Sequence, residues 1–101
     1  GIRVTTDATR AASTPELDGL VRHRLAEARR AGTTTIEIKS GYGLTVPDEA
    51  RSVAIARAHT TETTFLGAHL LPVEFEGRAA DYIHLVCNEM LAAVAPDATN
   101  I

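Results

Sequence analysis

The sequence predicts an α/β protein, a helix–strand–helix–strand–helix slice with parallel strands from a larger α/β fold such as a (β/α)8 TIM barrel. Short β-branched or apolar runs at 33–39 and 63–68 alternate with amphipathic stretches at about 15–31, 47–59 and 78–95. Such alternation is typical of βαβ units around a parallel sheet. Two strands cannot cover both faces and both edges of such a sheet, and a whole barrel needs about 250 residues. We therefore expect residues 1–101 to form a partial barrel domain and no complete domain.

Composition excludes several classes of protein. The 101 residues are 45% hydrophobic and 23% charged with a net charge of −3, which is an ordinary globular balance without a dominant basic stripe. Nucleic-acid and membrane partners are therefore not expected, and no apolar run approaches the roughly 20 residues that span a bilayer. The chain shows neither a signal peptide nor a cysteine framework, so we expect a cytoplasmic protein. It begins at Gly1 and ends just after a helix stop, which suggests a piece of something longer.

Capping residues locate the helices. Ser13 and Glu16 fit a capping box ahead of the first helix, and Gly32 fits its C-terminal cap. Pro15 is placed where a first helical turn tolerates proline, and the second helix is expected to open at Pro47, Asp48 and Glu49. Residues 1–12 are interpreted as irregular.

Each predicted helix has an apolar face at helical spacing. In the first helix the face consists of Leu17, Leu20, Val21, Leu25 and Ala28. In the second it consists of Ala50, Val53, Ala54 and Ala58. In the third it consists of Ile83, Val86, Cys87, Met90, Leu91 and Val94. The single cysteine is therefore expected to be a buried, unreactive thiol.

Three histidines are assigned to ordinary structural positions. His23 is expected on the solvated side of the first helix, and His84 on the surface of the third. His59 is expected near the end of the second helix, where a cation favours the helix dipole. The sequence contains no HxH, HExxH or CxxC pattern. No metal site is expected from this chain alone.

Two residues follow the strands where α/β proteins bind their ligands. Tyr42 lies in the glycine loop KSGYGL after the first strand, and His69 lies at the end of the second. Because the carboxyl ends of parallel neighbours share one rim, we expect both side chains there. A tyrosine hydroxyl can donate or accept a hydrogen bond, and a histidine can also move a proton near neutral pH. Two alternatives stay open: Tyr42 could cap the end of a barrel, and His69 could be a hydrogen-bonded structural group.

A charged pair lies on the first strand. Because Ile36 and Ile38 are expected to face helices, Glu37 and Lys39 are expected to face the barrel interior. Buried charges must be paired to be tolerated. The pair could therefore be a structural ion pair with neighbouring strands, or Lys39, which is nearer the rim, could support the site.

Two long motifs carry a resemblance to a known family. They are TTxEIKSGYGL, which contains Tyr42, and TTFLGAHxLP, which contains His69; the opening GIRVTTDATRAAS matches as well. In order and spacing, these motifs resemble the imidazolonepropionase family, a branch of the amidohydrolase superfamily. The resemblance covers nearly the whole chain.

The resemblance implies a metal-dependent (β/α)8 barrel enzyme of histidine degradation. Members hydrolyse the cyclic C–N bond of 4-imidazolone-5-propanoate to give N-formimino-L-glutamate. The resemblance further implies that Tyr42 and His69 contact this small-molecule substrate. The metal, zinc or iron, is implied to take its ligands from segments that this chain lacks, so the chain alone is expected to be inactive.

Other interpretations remain open at this point. One is a non-catalytic α/β module that assembles through its open strand edges. Another is an amidohydrolase acting on a different cyclic amide. A homo-oligomer is compatible with each of them. We also expect the isolated chain to be unstable or to associate, because its strand edges and partial core are exposed.

Overall fold

The computed structural model describes all 101 residues. Its elements, in chain order, are α1 (Ile2–Ala11), α2 (Thr14–Arg30), β1 (Glu37–Lys39), α3 (Val46–His59), β2 (Glu62–Thr64), a 3₁₀ turn (Val73–Phe75), α4 (Ala79–Leu85), a π-helical turn (Val86–Met90) and α5 (Leu91–Val94). The predicted alternation of helices and parallel strands is confirmed. No helix is long and apolar enough to cross a membrane.

The first twelve residues differ from the prediction, because most of them form α1 and are not irregular. Val4, Ala8 and Ala11 recur at helical spacing along this helix but stay exposed, and its one buried residue is Thr6. Polar contacts hold it instead. Arg51 of α3 donates to the carbonyls of Thr9 and Ala12 at 3.0 and 2.7 Å, and so satisfies acceptors that the helix end leaves free.

The two strands are shorter than predicted but pair as expected. β1 and β2 run parallel, with Glu37 opposite Glu62 and Lys39 opposite Thr64. Thr99 and Asn100 lie along the other edge of β2, where both N–H groups donate to the Thr63 carbonyl at 2.9 Å. The chain therefore returns, after α5, to pair parallel beside β2.

α3 buries a face that matches the prediction only in part, at Val53 and at Ala50, which packs against the core. Its buried residues are Glu49, Val53, Ile55 and Ala56, whereas Ala54 and Ala58 are exposed. The helix contacts α2 as well as α5 and the strands, so it is covered on more than one side. A carboxylate at the start of the buried face was not anticipated.

The last helix is continuous in space but not regular. Its buried positions recur every fourth residue, at Tyr82, Val86, Met90 and Val94. An α-helix turns every 3.6 residues, so this spacing drifts around the helix unless one turn is wider. The π-helical turn supplies the wider turn, and its effect is to keep these four positions on one face. Ile83 and Cys87, predicted to be buried, are exposed as a result.

The core lies between α3, the end of β2 and the last helix, from α4 through α5. It consists of Val53, Phe65, Tyr82, Val86, Met90 and Val94. The segment that follows β2 contributes Phe65 to this cluster, and Val46, the first residue of α3, packs against it.

Candidate functional site

The structure brings the two predicted site residues into contact. Tyr42 follows β1 and His69 follows β2, and their ring centroids are 5.2 Å apart with the planes inclined at 74°. This is the edge-to-face arrangement that aromatic pairs favour. Both residues are exposed, Tyr42 to 38%. The shared rim of the parallel strands therefore presents a phenol and an imidazole side by side to solvent.

Two glycines make this close approach possible. Gly41 has a φ of +122°, and a Cβ there would lie 3.2 Å from the His69 Cβ and 3.0 Å from the Leu66 carbonyl oxygen. A Cβ on Gly43 would lie 2.7 Å from the Asp48 Cβ. Any side chain at either position would push the Tyr42 loop away from the His69 loop or from α3. The glycines flanking Tyr42 thus let its backbone pack tightly while its ring stays outside.

A buried carboxylate holds the same loop from beneath. Glu49 is fully buried, and its Oε1 accepts from the N–H groups of Gly43 and Leu44, both at 2.9 Å. Its Oε2 accepts from the Gly41 N–H at 3.1 Å. Buried charge is tolerated only when hydrogen-bonded, and here three backbone donors surround it.

Leu44 shows how tightly the loop is bound. It is buried and has a φ of 60°, the left-handed region that bulky residues rarely enter. The bond from its N–H to Glu49 stabilises this conformation. The backbone on both sides of Tyr42 is therefore fixed by one side chain.

The His69 loop has a buried support of its own. Tyr82 is 3% exposed, and its hydroxyl donates to the Gly67 carbonyl at 2.7 Å. Burial, followed by the charge of Glu49, raises the pKa of Tyr82 to about 12. The phenol therefore stays protonated and able to donate at any pH in which the protein would work.

Further polar contacts tie the two loops together. Ser40 donates its N–H to the Thr64 carbonyl at 2.9 Å, and its Oγ accepts from the Leu66 N–H at 3.2 Å. Arg10 of α1 donates from Nε to the Gly43 carbonyl at 2.7 Å. Its guanidinium also bonds to the Glu74 carboxylate, and this hydrogen bond lowers the pKa of Glu74.

Lys39 and Glu37 are exposed and pair with each other. The Lys39 Nζ lies 3.6 Å from the Glu37 Oε2, and Glu37 also accepts a hydrogen bond from the Thr64 hydroxyl. Ile36 and Ile38 are partly buried on the opposite side, as expected. Lys39 thus stands at the rim end of β1, held by its own strand and not by a neighbouring one.

The remaining histidines stay apart from the rim. His23 and His84 are exposed, as predicted, and His23 pairs with Glu27 on the same helix. His59, the last residue of α3, has its Nε2 2.6 Å from the Asp18 Oδ1 of α2. Within this chain, no group of three or more His, Cys, Asp or Glu side chains is placed to hold a metal ion.

Three cavities lie away from the two rings, and the largest, of about 640 Å³, lies between α1 and α2. A cavity of about 220 Å³ lies between α1 and the site loops, against Arg10, Leu44 and Leu70. A larger one of about 560 Å³ opens at the amino ends of the strands, against Arg57 and His59. The rim at Tyr42 and His69 is an open surface.

The chain has close relatives among curated proteins, although no protein-family model matches it. The imidazolonepropionase of Salinispora arenicola is 61% identical over 98 residues, which are 97% of this chain and 25% of that protein. The imidazolonepropionase of Salinispora tropica is 62% identical over 96 residues, 95% of this chain and 24% of that protein. The imidazolonepropionase of Mycolicibacterium smegmatis is 52% identical over 98 residues.

These comparisons confirm the resemblance found in the motifs. Over nearly all of its own length, the chain is related to proteins named imidazolonepropionase. It spans about a quarter of the length of the curated relatives it matches.

Proposed function

We propose that this chain supplies the substrate-binding rim of an imidazolonepropionase. The reaction is hydrolysis of the cyclic C–N bond of 4-imidazolone-5-propanoate, which gives N-formimino-L-glutamate in histidine degradation. The observation that carries the proposal is the contact of Tyr42 with His69 at the carboxyl ends of two parallel strands. Identity of 61% to an imidazolonepropionase supports the choice of substrate.

Each ring has a separate role in the proposal. The substrate is a small planar ring that carries polar atoms and a carboxylate. The Tyr42 hydroxyl would hydrogen-bond to it, and the His69 imidazole would donate to an oxygen on which negative charge develops as water adds to the ring carbonyl. Both groups thus bind and polarise, and neither is a nucleophile. Lys39, at the same rim, would add positive charge for an anionic substrate.

The proposal places the chain in a larger cytoplasmic (β/α)8 barrel. The parallel strands and the pairing of Thr99 and Asn100 beside β2 support such a sheet. The zinc or iron of the family would bind to residues outside this chain, since no suitable cluster exists within it. The proposed role of these 101 residues is therefore to bind and orient the substrate, which can contribute much of an enzyme's rate enhancement.

A chimeric enzyme tests the proposal. The matched 98 residues replace the corresponding segment of the Salinispora arenicola imidazolonepropionase. Hydrolysis of 4-imidazolone-5-propanoate is then measured for this chimera and for its Tyr42→Phe and His69→Ala variants. The matched control is His84→Ala, which removes an exposed imidazole from α4. Metal content is determined for every variant.

The expected result is an active chimera in which each rim variant loses about tenfold or more in kcat/KM, because a hydrogen bond used in the transition state is lost. The control keeps its activity, and metal content is the same throughout. Loss of metal in His69→Ala would contradict the binding role, since it would make His69 a ligand. An active chimera that prefers another cyclic amide would contradict the substrate assignment.

A further inference from the structure

The two loops of the rim are supported from beneath by side chains at equivalent helical positions. Thr45 is the N-cap of α3, and Glu49 follows it by four residues. Arg78 is the N-cap of α4, and Tyr82 follows it by four residues. Each side chain reaches back from its first helical turns to the loop that precedes the helix, Glu49 as an acceptor and Tyr82 as a donor.

The Glu49 contacts are arranged around Tyr42. The donors are the N–H groups of Gly41, Gly43 and Leu44, so the bonds lie on both sides of Tyr42 in the chain. Both peptide neighbours of the phenol-bearing residue are thereby fixed. A displacement of this carboxylate must move the ring that Tyr42 presents to His69.

An uncharged replacement cannot make the same contacts. Every hydrogen-bond donor to the Glu49 carboxylate is a backbone N–H, so both oxygens must accept. A glutamine has the same shape, but its NH₂ group donates and would face an N–H. The amide oxygen would stay with the two donors, Gly43 and Leu44, and the NH₂ group would face the Gly41 N–H, so the Gly41 side of the loop would lose its acceptor and be pushed away.

We propose that Glu49 is a positioning residue, which sets the place of the Tyr42 hydroxyl over the substrate without touching the substrate itself. This inference rests on the proposed function, because it assigns Glu49 a role through Tyr42. Glu49 is fully buried beneath the loop, so it has no direct access to a ligand at the rim. Its contribution to activity must pass through the backbone that it binds.

Kinetics of the chimera test the inference through a double-mutant cycle. The variants are Glu49→Gln, Tyr42→Phe and the two combined, with Glu89→Gln as the matched control on an exposed glutamate. We expect Glu49→Gln to lower kcat/KM by about 10- to 100-fold, as a misplacement near 1 Å can. In the Tyr42→Phe background the same change should have little further effect, because the hydroxyl it positions is already gone.

A spectroscopic readout tests the position of the ring directly. The chimera is labelled with 3-fluorotyrosine, and the Tyr42 resonance is identified as the one lost in Tyr42→Phe. The change of its ¹⁹F shift on His69→Ala reports the contact between the two rings. The shift difference caused by His69→Ala should be at least halved when Glu49→Gln is also present, and it should be unchanged when Glu89→Gln is present.

The outcomes separate this inference from the proposed function. If Tyr42→Phe lowers activity but Glu49→Gln adds its full effect to it, the positioning role is wrong and the proposed function stands. If Tyr42→Phe itself has no effect, the proposed function fails first. Should Glu49→Gln not fold, Glu49→Asp replaces it: the charge remains but the reach is one methylene shorter. An Asp variant with wild-type kinetics and an unchanged ¹⁹F shift would overturn the inference.

Discussion

The Tyr82 hydroxyl donates a hydrogen bond to the Gly67 carbonyl over 2.7 Å, which joins the core to the loop that carries His69. Tyr82→Phe keeps the ring in the core but leaves this carbonyl without its partner. The expected cost is about 1–3 kcal/mol of unfolding free energy, because a buried acceptor is left unsatisfied. Urea unfolding of the chimera measures it. A change within about 0.3 kcal/mol of zero would mean that the bond contributes nothing.

Alkaline pH should weaken the fold through the same residue. The pKa of Tyr82 is raised to about 12 in the folded protein, against 10.0 for a free tyrosine. The unfolded chain therefore loses this proton first as pH rises, and the unfolding free energy falls between pH 10 and about 12, by up to about 1.4 kcal/mol per pH unit.

Comparison with Tyr82→Phe isolates this slope from other titrations. The variant should lose less stability than the wild type over that window. Equal slopes for the wild type and Tyr82→Phe would contradict the prediction.

A methyl group at Gly43 should disturb the rim. Its Cβ would lie 2.8 Å from the Asp48 carbonyl carbon and 2.9 Å from the Glu49 nitrogen, both in the backbone of α3. Gly43→Ala should therefore cost about 1–3 kcal/mol and lower activity, since neither backbone atom can easily move. The urea midpoint and the kcat/KM of the chimera measure the two effects.

Gly19→Ala is the matched control for this substitution. Gly19 lies within α2, and the nearest atom to a Cβ there is 4.0 Å away. This change should stabilise the helix by about 0.5–1 kcal/mol. A Gly43→Ala variant as stable and active as Gly19→Ala would show that the loop has room that the structure does not indicate.

The isolated chain should be unstable or should associate. Only 19 of its 101 residues are buried, and large apolar side chains such as Val73, Ile83 and Ile101 are more than half exposed. Sedimentation velocity at several concentrations, together with thermal unfolding, tests this. A monomer that melts cooperatively would contradict the expectation.

Helices were predictable where a local signal marked them. The capping box of Ser13 and Glu16 begins α2 in the structure, with the Glu16 N–H donating to the Ser13 Oγ and the Ser13 N–H to Glu16. α1 begins after Gly1 without a side-chain cap, and its support comes from Arg51, a residue far along the chain. The strands proved shorter because pairing, and not the β-branched run, determines their ends.

The exposed residues of the rim could be located from the sequence, whereas the buried residues that support the rim could not. Glycine spacing and strand ends indicated Tyr42 and His69. Glu49 was missed because an acidic residue in a first turn is ordinarily explained by the helix dipole. Its signal was the position, four residues after the N-cap Thr45 and four before the buried Val53. Tyr82 was missed because a regular helical repeat favoured Ile83.

The reach of Glu49 into the preceding loop has a consequence for protein engineering. The conformation of residues 40–44 is not determined by these residues alone, because the acceptor for three of their N–H groups belongs to α3. Transplanting that pentapeptide onto another protein would move the phenol but not the group that shapes its backbone. The smallest portable unit is the loop together with the first turns of the helix behind it, and libraries that vary one should vary the other.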